Sequence, residues 1–112
     1  SSDLAHICAA SRVGAQLEAV HIPLAADVSR VAQALQADPL MLALHGGEDF
    51  ELCLTAPPGA LAPVQALFTS QFHCPLVRIG TIQPGDTLSL RFPDGTSTPL
   101  RAQGYDHFRR TP

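Results

Sequence analysis

The stretch HGGEDFELCL, residues 45–54, is where one kind of periodicity gives way to another. Before it, DPLMLALHGG has the marks of a short helix. Asp38 suits the cap and Pro39 the first turn, and Gly46 suits a left-handed closing residue. The apolar surface of that helix is broad, so burial is expected. After it, DFELCLT alternates, with Phe50, Leu52 and Leu54 on one side and Asp49, Glu51 and Cys53 on the other, which predicts a strand.

Working outward gives the rest of the order. SSDLAHICAAS places Leu4, Ile7 and Cys8 on one helical face, with Ser1 or Ser2 as cap and Gly14 as the stop. The helix is committed at the first residue, so further chain is expected before Ser1. GAQLEAVHIP alternates at Ala15, Leu17 and Ala19 and reads as a strand ended by Pro23. AADVSRVAQALQADP carries Val28, Val31 and Leu35 at helical spacing, with Asp27 as cap. Downstream, PPGALAPVQALFTSQF predicts a helix with Leu61, Val64, Leu67 and Phe68 inward, its prolines confined to the first turn. LVRIGTI and TLSLRF predict strands separated by a turn at Pro84, Gly85 and Asp86, with Leu88, Leu90 and Phe92 on one face of the second. The turn PDGT leads to a short strand near Thr98 to Leu100, and the last strands are able to pair as hairpins. The fold class expected is therefore α+β, a mixed β-sheet covered by helices.

Composition narrows the function classes. A chain of 112 residues with 46% hydrophobic residues fits one globular domain, residues 1–112, without linkers or repeats. The net charge is -3, and only Arg109 and Arg110 stand together, which argues against a nucleic-acid partner. Aromatics are few and tryptophan is absent, so stacking platforms are scarce. No apolar run approaches the length needed to cross a bilayer, so no membrane partner is expected. Cys8, Cys53 and Cys74 are odd in number and form no Cys-x-x-Cys pair, which fits reduced thiols in a cytoplasmic protein.

Two loops carry candidate chemistry. In GGED, paired glycines let backbone approach a ligand, and an ionised Glu48 accepts hydrogen bonds from an amino group or faces a cation. Asp49 either assists or turns the backbone through its own side chain. The structural alternative is a helix-stop glycine followed by solvated acids. In GYDHF, residues 104–108, Phe108 suits an anchor and Tyr105 offers a flat face or a hydroxyl to a ring. The alternative there is a plug that docks the tail. His6, His21, His45, His73 and His107 show no metal-ligand spacing, and neither a dinucleotide fingerprint nor a P-loop is present. No metal ligand and no catalytic residue is assigned within the chain.

Taken together, SSDLAHICAASRVGAQLEAVHIPLA, ALHGGEDFELCLTAP, VRIGTI and GYDHF resemble, in order and separation, the second half of the bacterial thiamine-monophosphate kinases. Phe50 stands where that family often has Tyr, and Leu54 where it often has Phe. The resemblance implies the C-terminal domain of the aminoimidazole ribonucleotide synthetase superfamily, here as the C-terminal fragment of a two-domain kinase. It implies ATP-dependent phosphorylation of thiamine phosphate to thiamine diphosphate. ATP and Mg2+ would be held mainly by an N-terminal part outside this sequence, the full-length enzyme would be a homodimer, and the fragment alone would be inactive. Glu48 and Tyr105 match family residues that contact the thiamine substrate. Two other classes are compatible with the motifs: another ATP-dependent enzyme of the superfamily, such as a purine-biosynthesis synthetase, and a non-catalytic interaction module.

Overall fold

The computed structural model describes residues 1–46 and 51–101. Helix α1 spans Ser2–Ser11, strand β1 Gly14–Glu18, helix α2 Ala26–Leu35 and helix α3 Pro39–His45. Helix α4 spans Ala62–Phe72, and strands β2, β3 and β4 span Gly80–Gln83, Leu88–Arg91 and Ser97–Pro99. The strands form one mixed sheet in the order β2-β1-β3-β4. β1 runs antiparallel to β2 and parallel to β3, and β3 runs antiparallel to β4. The expected α+β architecture, a mixed sheet covered by helices, is what the chain adopts.

The core is small and local. Leu4 and Cys8 of α1 and Leu44 of α3 meet Ala15 and Leu17 of β1, Leu90 of β3 and Leu100. The alternation in β1 sends Ala15 and Leu17 to one face, and register sets Leu17 beside Leu90 across the parallel pair. Leu90 is the largest fully buried side chain among the described residues. On the open side of the same pair, Arg91 grips Glu18 with two bonds, Nη2 to Oε1 at 2.6 Å and Nε to Oε2 at 3.0 Å. The turn at residues 93–96 closes the β3–β4 hairpin, with the Asp94 carboxylate accepting from the Thr96 amide at 2.9 Å and its hydroxyl at 2.7 Å.

Gly14 has a different task from the one its position suggested. α1 is ended by Arg12, which takes the left-handed conformation (φ 54°) itself. Gly14 instead opens β1 beneath the connection from β2 to β3. Those two strands are joined by only four residues, yet β1 lies between them, so the connection must cross the start of β1. A Cβ on Gly14 would stand 2.6 Å from the Thr87 carbonyl oxygen and 3.1 Å from its nitrogen. The expected hairpin thus forms for β3–β4 and not for β2–β3.

Several boundaries and faces also differ from expectation. β1 stops at Glu18, one residue past its last partner in β2 and level with Arg91 at the end of β3, and passes into a 3-10 turn at Ala19–His21. The same register limits the LVRIGTI strand to its last residues. Residues 51–55 of the expected DFELCLT strand are neither helix nor strand and pair with none of the described strands. There Cys53 packs against the core while Leu52, from the other set of the alternation, is 88% exposed. Ser1 occupies the cap position of α1 without a capping bond from its side chain, and Ala25 rather than Asp27 precedes α2. Asp27 lies in the first turn of α2, beside Arg30 at 3.6 Å on the surface. The expected inward stripe of α4 is largely exposed, and no residue of that helix is buried.

Candidate functional site

The sequence directs attention to the loop after α3 and to the segment after β4, and the described residues reach the edges of both. α3 begins as expected, with the Asp38 carboxylate accepting from the Leu40 amide at 2.9 Å and Pro39 in the first turn. It ends differently. Gly46 is extended (φ -60°, ψ 167°), not left-handed, and its amide donates to the Leu42 carbonyl at 2.7 Å. Glycine is still required there, because a Cβ would collide with that carbonyl oxygen. The end of α3 is fixed to the start of α1. The Ser1 nitrogen donates to the Leu44 carbonyl at 2.9 Å, and the Ser1 hydroxyl lies 3.1 Å from His45 Nδ1.

His45 and Arg101 flank the two candidate segments, and they share one cleft of about 380 Å³. Met41, Leu90 and Leu100 supply apolar walls to it, so its floor belongs to the same core that orders the sheet. An imidazole, a guanidinium and apolar side chains thus line one open cleft. Glu48 and Tyr105 themselves lie outside the described residues, as do Asp49, Phe50 and Phe108. Sequence reading set His45 aside for want of metal spacing and did not single out Arg101. The signal available was adjacency: each directly precedes, or nearly precedes, a candidate segment.

A second, larger groove of about 720 Å³ runs along the end of α1, where Cys8 and Arg12 face Gly85 and Asp86 of the β2–β3 connection. Burial pushes the Cys8 thiol above its ordinary range, which disfavours the reactive thiolate. Cys53 is shifted the same way, chiefly by burial. Among the described residues no group of three or more His, Cys, Asp or Glu side chains is placed to hold a metal ion. These residues therefore do not fit a magnesium site, and no phosphoryl-transfer step is assigned to them. Among them, too, no helix is long and apolar enough to cross a membrane.

Fold and cleft describe an α+β domain that presents a small cleft of mixed polarity among the described residues. Comparison with known proteins gives that class a particular likeness. The chain is similar to the thiamine-monophosphate kinase of Escherichia coli, with 40% identity over 111 residues, covering 96% of this chain and 32% of that enzyme. The Haemophilus influenzae thiamine-monophosphate kinase is 33% identical over 98% of the chain and 34% of its own length. That of Synechococcus elongatus is 35% identical over 91% of the chain and 28% of its own length. No family model matches. The chain spans about a third of the length of the curated relatives it matches, and the resemblance to thiamine-monophosphate kinases expected from the motifs holds over nearly the whole chain.

Proposed function

We propose that residues 1–112 are the substrate-binding C-terminal part of a two-domain kinase that transfers phosphate from ATP to thiamine phosphate, giving thiamine diphosphate. The observation that carries this reading is the convergence of His45 and Arg101 on one cleft, in a chain 40% identical to a named thiamine-monophosphate kinase. Convergence of the two flanks supports a common site for the segments that contain Glu48 and Tyr105. Glu48 accepts a hydrogen bond from the aminopyrimidine of the substrate, and Tyr105 lies beside a ring. Gly46 and Gly47 let the backbone come close.

Phosphoryl transfer depends on positioning and on neutralising the charge of the transferred group. When bound, ATP supplies the phosphoryl group and Mg2+ offsets its charge. Both are held mainly by the N-terminal part of the enzyme, which acts as a homodimer in the cytoplasm. The contribution of this chain is positioning, so residues 1–112 alone do not turn over.

The test is a coupled ADP-release assay with thiamine phosphate and Mg2+ on the full polypeptide and on residues 1–112. Turnover by the first and none by the second is expected, and robust activity of the short chain would contradict the division of labour. Titration against aminoimidazole precursors separates this activity from that of a purine-pathway synthetase. In the full polypeptide, Glu48→Gln is expected to lower kcat/KM for thiamine phosphate by the equivalent of about 1–3 kcal/mol, the range for losing a hydrogen bond to a charged acceptor. Unchanged kinetics would remove Glu48 from the site.

A further inference from the structure

α2 carries an apolar stripe that its surroundings leave mostly open. Val28, Val31, Ala32 and Leu35 recur at three- and four-residue spacing and share one side of the helix, with Asp27, Ser29, Arg30 and Gln33 on the other. Ala32, at one edge of the stripe, is 1% exposed. Val31 is 52% exposed and Leu35 65%, and Leu24, just before the helix, is 40% exposed. A ten-residue helix is too short to persist on propensity alone, so its stability depends on burying that stripe. Contact with α3 accounts for one edge only.

We propose that the Val31–Leu35 side of α2 is the seat of the part of a longer polypeptide that lies outside residues 1–112 and is covalently continuous with them. The proposal rests on the reading above that this chain is one part of a larger kinase. The relatives are about three times its length, so a covalently attached occupant is at hand. Size argues against a second copy: the open stripe is on the order of 300 Å², an ordinary largest patch for a monomer. A stable association between separate molecules buries about 800 Å² on each partner. A tethered segment meets no such requirement, because linkage raises its effective concentration to roughly millimolar.

Hydrogen exchange by mass spectrometry on the full natural polypeptide tests this. Amides of residues 28–35 are expected to be protected, and Leu35→Lys should reduce that protection about tenfold by opening the contact locally. Lysine in the last turn suits the helix dipole, so the loss would not come from a weakened helix. Ala34→Lys, on an exposed position away from the stripe, and Leu35→Met should both retain protection. Equal exchange in the parent and Leu35→Lys would overturn the proposal. So would a natural polypeptide with nothing beyond these residues, or a dimer that Leu35→Lys dissociates in ultracentrifugation. The ADP-release assay on the same samples reads the function separately: protection without thiamine phosphate turnover keeps the contact and sinks the activity.

Discussion

Gly14→Ala is the sharpest test of the crossing between β2 and β3. The added methyl would start 2.6 Å from the Thr87 oxygen, whereas real Cβ contacts essentially never fall below 3.0 Å. Either β1 or residue 87 must therefore yield by at least about 0.4 Å, and the obstacle is backbone, which cannot rotate aside. Overpacking of this kind costs about 1–3 kcal/mol. Against it, replacing glycine reduces the freedom of the unfolded chain, a gain of about 0.4–1 kcal/mol. The net expectation is a destabilisation of about 1–2 kcal/mol. For a chain of 112 residues that corresponds to a Tm lowered by roughly 4–8 °C, followed by circular dichroism. Urea unfolding should show a lower midpoint with an unchanged slope. The same shift stretches the bond from the Ala15 amide to the Thr87 carbonyl, now 3.0 Å, so exchange of that amide should quicken. A Tm equal to or above that of the parent would refute the idea that the connection passes directly over Gly14.

Other consequences are more direct. Leu90→Ala removes the largest fully buried side chain among the described residues and should cost about 2–5 kcal/mol by denaturant unfolding. Arg91→Ala breaks a partly exposed pair, so a double-mutant cycle with Glu18→Ala should return only about 0.2–1 kcal/mol of coupling, falling with salt. Hydrogen bonds from the Thr96 hydroxyl and amide hold the Asp94 carboxyl below the usual range. Its stabilisation is present above the ordinary carboxylate pKa and is lost as pH falls through the lower folded value, so Asp94→Asn should flatten the acid limb of stability against pH. Burial raises the Cys8 thiol, so its contribution is complete below the ordinary thiol range and declines as pH rises beyond it. Cys8→Ala should reduce that alkaline decline in urea titrations at pH 8 to 10.

Apart from the DFELCLT stretch, the order of helices and strands, the mixed sheet and most of the core among the described residues follow from local pattern. Leu4 and Cys8 repeat at helical spacing, and Ala15 and Leu17 alternate. Those periods fix which side chains share a face whatever lies opposite. Asp38 and Pro39 carry their helix start within two residues, so its position needs no distant partner. The motifs around Glu48 and Tyr105 are likewise a matter of sequence, and so is the similarity to thiamine-monophosphate kinases.

Tertiary structure decided the strand ends, the purpose of the glycines and the meeting of distant flanks. A strand lasts only as long as its ladder partner, so β1 ends at Glu18 despite continued alternation in the sequence. Gly14 and Gly46 look like helix stops in isolation. Their lack of a side chain serves instead a crossing chain at Thr87 and a carbonyl at Leu42. His45 and Arg101 stand 56 positions apart and acquire a common cleft only because β3 and β4 fold back beside α3. Which face is covered also depends on what lies opposite: spacing identified the stripes of α2 and α4, but burial is a relation between two surfaces.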